Sequence, residues 1–140
     1  MRHLDIALAL IEQEGVYFLQ LRGENPEIGG AGLIGCFGGK IEQETPELAI
    51  CRELCEETSL KSIEEGDVEL IGRVKVQSDH KLEKVSVHAH VFRVIIASET
   101  DIRAKEGGLV RLTPDEAKQK LDNMTTGTRA VFEELIFVGD

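Results

Sequence analysis

Leu4, Ile6, Leu8 and Leu10 alternate with polar or small residues, the two-residue period of a strand that turns one face to a core. Glu14-Gly15 breaks the run and Val16 to Leu21 resumes it, so the chain is predicted to open with a β-hairpin or strand pair. From Gly23 to Gly32 the composition shifts to Gly, Glu, Asn and Pro, which predicts a loop, and Leu33 to Phe37 is a short apolar piece before Gly38-Gly39. A helix is predicted to begin near Thr45-Pro46, where the hydroxyl can cap and Pro takes the first helical position without losing a needed hydrogen bond. Leu48, Cys51, Leu54 and Cys55 form its predicted apolar stripe.

Two longer strands are predicted downstream, Val68 to Val76 and Val85 to Ile96, and Leu109 to Leu112 adds a short one. In the second long strand Val85, Val87, Ala89 and Val91 share one face, and Ser86, His88, His90 and Phe92 the other. Thr113-Pro114-Asp115-Glu116 reads as a capping box opening a helix to about Leu121. Thr128 to Ile136 has helical spacing through Ala130, Val131, Leu135 and Ile136. The order β-β-β-α-β-β-β-α-α predicts an α/β (α+β) fold, a mixed sheet packed with helices.

With no linker and no internal repeat, 140 residues of 41% hydrophobic content suit one domain, 1–140, and are too few for two. Charge narrows the partners. Sixteen Lys+Arg against 26 Asp+Glu leave −10, a field that repels phosphate backbones, so a nucleic-acid polymer is not an expected partner. A small anionic substrate fits only where local cations or bound metal ions reverse the field. No run of about 18 apolar residues is present and residues 1–5 lack a leader pattern, so a soluble cytoplasmic protein is expected, with no membrane partner. Three cysteines, Cys36, Cys51 and Cys55, form no disulfide framework and read as reduced thiols. The C-x(3)-C spacing lacks a second Cys or His pair nearby, so small core residues are favoured over zinc ligands.

Chemistry concentrates between Gly38 and Leu60, GGKIEQETPELAICRELCEETSL. At about 100° per residue, Glu53, Glu56 and Glu57 fall within roughly a 100° arc of the predicted helix. Three carboxylates at this spacing repel one another unless a cation or basic neighbour offsets them. Clustered hard oxygens suit Mg²⁺ or Mn²⁺. The alternative is a solvated acidic helix face of the kind that charge runs commonly form.

The segment resembles the Nudix box, G-x(5)-E-x(7)-R-E-U-x-E-E-x-G-U with U aliphatic, through Gly38, Glu44, Arg52, Glu53, Leu54, Glu56, Glu57 and Leu60. At average residue usage, a chance match in a chain of this length is about one in 10⁵. Two positions depart. Ser59 stands where the family has Gly, at a chain reversal where φ > 0 costs a non-glycine residue about 1 kcal/mol. Phe37 stands where many relatives have Pro, which bears on the local loop and not on the metal site. Beyond the box, the opening strand, the later long strands, Lys105-Glu106-Gly107 and the final Thr-rich turn into a helix are similar to the MutT-like branch of Nudix hydrolases.

That resemblance implies an α/β/α sandwich and hydrolysis of a nucleoside diphosphate linked to another group, with Mg²⁺ (or Mn²⁺) as cofactor. It implies metal ligands at Glu53, Glu56 and Glu57 and at the Gly38 carbonyl, with Glu106 as a later acidic residue joining them. Phosphoanhydride hydrolysis needs a positioned water and neutralised phosphoryl oxygens. Glu53 is the first candidate to orient or deprotonate that water and Glu106 the second, while Arg52 is expected to pair with Glu44 and hold the glutamate helix against the loop. Arg22 and Lys40 are candidate phosphate contacts. Gly38-Gly39-Lys40 is not a P-loop, because Ile41 replaces the Ser/Thr and the spacing differs. His88 and His90 share a strand face with His80 nearby in sequence; a polar cleft or solvent-facing strand is favoured over a His-rich metal site.

The expected activity is a nucleoside triphosphate pyrophosphohydrolase giving monophosphate and pyrophosphate. Alternatives are ADP-ribose, another nucleotide sugar or a dinucleoside polyphosphate as substrate, or a non-catalytic nucleotide-sensing module. MutT-like enzymes that clear oxidised guanine nucleotides use an Asn near the last helix. The stretch Thr125-Thr126-Gly127-Thr128 has none, which argues against that specificity. The expected partner is a small nucleotide and the expected state a monomer or homodimer.

Overall fold

The computed structural model describes residues 2–23, 32–80 and 83–139, with the side chains of 78–80 and 83 outside the described set. Most of the predicted 23–32 loop and the His80 side chain thus lie outside the described residues. Seven strands among them, β1 (Arg2–Gln13), β2 (Val16–Leu21), β3 (Ile34–Gly35), β4 (Phe37–Lys40), β5 (Glu69–His80), β6 (Glu83–Ile95) and β7 (Gly108–Leu112), form one mixed sheet. Its main path runs β3-β2-β1-β6-β5, with β4 beside β1 and β7 beside β2. The helices are α1 (Pro46–Glu57), α2 (Pro114–Gln119) and α3 (Thr126–Val131).

Glu14 and Gly15, at φ 51° and 77°, close a two-residue turn between the paired residues Gln13 and Val16. Positive φ at both positions matches the right-handed twist of the flanking strands. β1 pairs with β2 only over Ile11–Gln13 and then leaves it for β4, while its other edge runs parallel to β6. It is buried on both faces along its second half, because Ala7, Ala9 and Ile11 face one helical layer while Leu8 and Leu10 face the other. The alternation in the sequence therefore separates two cores and not core from solvent.

One core packs Leu8, Leu10, Leu19, Val74 and Val91 beneath Ala130, Val131 and Phe132 of the C-terminal helical layer. The other packs Ala7, Ala9, Phe18, Phe37, Phe92 and Val94 against Ala49, Ile50 and Leu54 of α1. The result is the α/β/α arrangement. Phe37 is a fully buried strand residue paired with Ala9, so this departure from the family fills the core below α1 and leaves Gly38-Gly39 in an extended strand.

Several element bounds differ from those predicted. The Leu33–Phe37 piece divides into β3 and β4 around Cys36. α2 ends at Gln119 and a 3₁₀ turn, Leu121–Asn123, follows. The last helix starts earlier, capped by the Thr125 hydroxyl, and widens into a π-helical turn over Phe132–Ile136. Thr128 is buried and accepts a hydrogen bond from the Cys36 amide at 2.8 Å, so this threonine belongs to the packing of the last helix against the sheet.

Candidate active site

α1 begins where Thr45 Oγ1 accepts from the Leu48 amide at 3.2 Å and Pro46 supplies the preset φ of the first turn. Its buried residues are Ala49, Ile50 and Leu54. The predicted stripe is corrected here: Leu48 and Cys55 are exposed and Cys51 is only partly buried. The reason is angular. At about 100° per residue, Glu53 and Glu57 lie within the same roughly 100° arc as Ile50 and Leu54. Two carboxylates occupy half of the sheet-facing side, and reading the stripe from apolar residues alone rotates it away from the sheet.

The sheet receives these carboxylates on glycine. A Cβ on Gly39 would lie 2.6 to 2.9 Å from the Glu53 carboxylate, so the bare backbone makes the room that Glu53 occupies. The Gly38 amide donates to Glu57 Oε1 at 2.8 Å. Gly38 has φ +149°, and a Cβ there would meet the Ala7 carbonyl oxygen at 2.1 Å, so no other residue fits.

Arg52 ties this helix to the preceding loop. Its Nε and Nη2 donate to Glu44 Oε1 at 3.1 and 2.6 Å, its Nη1 to Glu53 Oε1 at 3.0 Å, and its Nη2 also to the Lys40 carbonyl at 3.1 Å. Glu53 is left with 14% of its side chain exposed, whereas Glu56, 3.4 Å from Arg52 Nη1, keeps 57%.

A third wall comes from residues 104–107. Thr58 and Ala104 form an antiparallel bridge, the Lys105 amide donates to the Glu57 carbonyl at 2.8 Å, and Lys105 Nζ donates to the Cys55 carbonyl at 2.9 Å. A lysine at carbonyls of the last helical turn complements the helix dipole. Gln20 Nε2 then donates to the Glu106 carbonyl at 2.9 Å, and Gly107 passes the β2 backbone at φ +67°, where a Cβ would sit 2.3 Å from the Leu21 oxygen. Glu106 is thereby carried to a cleft of about 240 Å³ that Gln20, Arg22, Gly23, Gly38, Glu57 and Gly107 also line. Arg22 Nε is buried without a hydrogen-bond partner among the described residues. A buried donor left unpaired is costly, and an anion in the cleft would satisfy it.

Electrostatics follow from burial. Desolvation pushes the Glu57 carboxyl up to about 7 against the Gly38 hydrogen bond, with repulsion from Glu53 and Glu106 adding to it and Arg22 opposing. Burial also raises Glu53, against the pull of Arg52. Glu44 moves the other way, held down by its hydrogen bond from Arg52. Acidic oxygens gathered in one place and short of positive charge fit a divalent cation of the Mg²⁺ or Mn²⁺ class by donor chemistry.

The structure thus brings together Gly38, Glu44, Arg52, Glu53, Glu56 and Glu57 and sets Arg22 and Glu106 in the adjoining cleft. Lys40 pairs with Ile6, which packs against the opposite core, and its carbonyl accepts from Arg52 Nη2. Ser59 is also corrected: it has no positive φ, and its hydroxyl accepts from the Arg103 amide at 2.8 Å. Gln20 is not among the residues read from the sequence, and Lys105 is read there only as part of Lys105-Glu106-Gly107, with no role of its own. Gln20 carried a signal, as the lone strongly polar side chain of VYFLQL. All three cysteines are free; Cys36 is buried, which pushes its thiol up to about 12.

Residues 1–135 match the family model for the NUDIX domain. The chain belongs to the NUDIX family. It is a Nudix hydrolase, and Nudix hydrolases use divalent metal ions. Among solved structures it is similar to the MutT protein from Methanosarcina mazei, at 22% identity and TM-score 0.74 over 94% of this chain and 91% of that one. It is also similar to the ORF135 protein of E. coli, at 26% identity and TM-score 0.60 over 92% and 85% of the two chains. A third is a bifunctional NMN adenylyltransferase/ADP ribose pyrophosphatase from Francisella tularensis, complexed with AMP and a Mn ion. This Nudix chain matches it at 20% identity and TM-score 0.65, covering 93% of itself and 40% of that protein. Comparison with curated proteins finds no match. No helix among the described residues of this Nudix hydrolase is long and apolar enough to cross a membrane.

Proposed function

We propose that the protein is a nucleoside triphosphate pyrophosphohydrolase, consuming one water to release a nucleoside monophosphate and pyrophosphate. The observation that carries this reading is the desolvation of Glu53 and Glu57 beside a cleft that Glu57 lines together with Arg22, whose Nε is buried without a hydrogen-bond partner among the described residues. Acidic and basic groups around one cleft suit a polyphosphate that arrives with its cation.

Gly38, Glu53, Glu56, Glu57 and Glu106 would hold Mg²⁺ or Mn²⁺, which when bound neutralises phosphoryl oxygens and acidifies water. Glu53, already raised by burial, is the candidate to orient the attacking water and accept its proton; Glu106, which lines the cleft, is the second. Arg22 would pair with phosphate oxygens through its planar donors. Arg52 and Glu44 are positioning residues. Net charge of −10 and free thiols support a cytoplasmic enzyme that meets free nucleotides and not nucleic-acid polymers.

A second reading, hydrolysis of ADP-ribose or another nucleotide sugar, is favoured by the likeness to the Francisella protein. Incubation with Mg²⁺ or Mn²⁺ and a panel of nucleoside triphosphates, nucleotide sugars and dinucleoside polyphosphates separates them. Monophosphate plus pyrophosphate from triphosphates supports the first, and turnover confined to nucleotide sugars supports the second. Nucleotide binding without turnover of any member identifies a sensor instead.

A further inference from the structure

The parallel pairing of β1 with β6 sets Asp5 beside His88 and His3 beside Ser86. Alternation along β1 places His3 and Asp5 on the face of Ala7, which α1 covers further along, and leaves them about half exposed, with 50% and 53% of their side chains open. His3 Nε2 and Asp5 Oδ1 are 3.1 Å apart, and the His3 and His88 rings meet with centroids 3.8 Å apart at 65°. One ligand atom from each of the three residues lies within 4.8 Å of the other two. A tetrahedral ion with bonds of 2.0 to 2.1 Å spaces its ligand atoms by about 3.4 Å, so closing on one needs only small rotations of the exposed His3 and Asp5 and the half-buried His88.

We propose that His3, Asp5 and His88 form a site for one divalent transition-metal ion of the Zn²⁺ class, separate from the glutamate cluster. Two imidazoles and one carboxylate, with positions left open to water, suit zinc, cobalt or nickel, whereas Mg²⁺ is bound through carboxylates, waters and phosphates. The two sites therefore select different ions. Ser86 Oγ shares a hydrogen bond with His88 Nε2 at 3.2 Å and steadies the ring, while Asp5 offsets Lys75, which pairs across from His88 on β5. His90, the next histidine along this face, is already engaged by Arg73 Nε at 3.3 Å and takes no part.

The test uses untagged protein, with Zn²⁺ followed by calorimetry and Co²⁺ by visible absorption, in excess Mg²⁺. One equivalent should bind to the wild type and to Glu57→Gln, with affinity reduced at least about tenfold in His3→Ala and His88→Ala. Unchanged affinity in both histidine variants, loss in Glu57→Gln, or displacement by Mg²⁺ would overturn the proposal. Histidine ring resonances of the wild type give a reading free of any folding defect. His3 and His88 should shift at substoichiometric Zn²⁺ while His90 does not, and unmoved His3 and His88 signals would contradict the assignment.

Discussion

Arg52 grips the Glu44 carboxylate through Nε and Nη2, at 3.1 and 2.6 Å, which leaves Nη1 free to hold Glu53 at 3.0 Å. One planar guanidinium thus fixes the loop and aims the glutamate. A lysine, with a single charged point, cannot reproduce the fork. Arg52→Ala and Arg52→Lys should both lower kcat by roughly 10- to 100-fold with KM little changed. Glu44→Ala should lose a similar amount, and the double variant scarcely more than either single one, because the pair acts as a unit. Steady-state kinetics on the three singles and the double variant check this.

Adjacent glycines should fail in different ways. Alanine at Gly39 meets the end of a flexible side chain, the Glu53 carboxylate, whereas alanine at Gly38 meets the Ala7 backbone at a φ of +149°. Gly39→Ala should keep its fold by circular dichroism and lose activity about 100-fold through displaced Glu53. Gly38→Ala should lose about 3 kcal/mol or more of stability, read by urea unfolding.

Burial makes the ionised form of Glu57 costly to the fold. Its carboxyl ionises at about 7 in the folded chain, against about 4.3 when unfolded. A raised acid favours folding fully below the unfolded value, and that contribution is lost as pH climbs through 7. After discounting for its partial exposure, the loss is about 1 to 2 kcal/mol. In metal-free buffer Glu57→Gln, whose amide oxygen can still accept from Gly38, should match the wild type near pH 4 and exceed it by that amount at pH 8. Saturating Mg²⁺ should reverse the order at pH 8, because the wild type binds it more tightly. Urea unfolding at both pH values, with and without metal, makes the comparison.

Ser59 holds the segment that carries Glu106. Its amide donates to the Arg103 carbonyl at 2.9 Å and its hydroxyl accepts from the Arg103 amide at 2.8 Å. Ser59→Ala should cost about 0.5 to 1 kcal/mol and raise hydrogen exchange at Arg103. Ser59→Gly should show no stabilisation, since no positive φ needs relieving. Exchange monitored by mass spectrometry distinguishes the two.

The glutamate cluster was legible because helical spacing is local arithmetic: Glu53, Glu56 and Glu57 fix their own relative directions once the helix forms. Strands β1, β2, β5 and β6 were legible for the same reason, through alternation. What the alternation of β1 could not show was that Ala7 and Ala9, the small residues between its larger apolar ones, lie beneath α1, since a small residue serves equally at a surface and under a close-packed helix. Nor could it place Gln20 against Glu106, 86 positions away, a contact that exists only after β2 and β7 pair. Lys40 is a second case: its place in the box says nothing of its register, and what the structure engages is its backbone carbonyl, which accepts from Arg52 Nη2 at 3.1 Å.

Glu53 is the residue on which the metal-dependent hydrolase reading turns, and Glu53→Gln removes its charge at nearly constant size. The decisive measurement is turnover of nucleoside triphosphates by the wild type and Glu53→Gln side by side at saturating Mg²⁺, with product identity and folded state recorded for both. Monophosphate and pyrophosphate from the wild type, with kcat at least about 100-fold lower in a folded Glu53→Gln, is the predicted result. Equal turnover by the two proteins would contradict it.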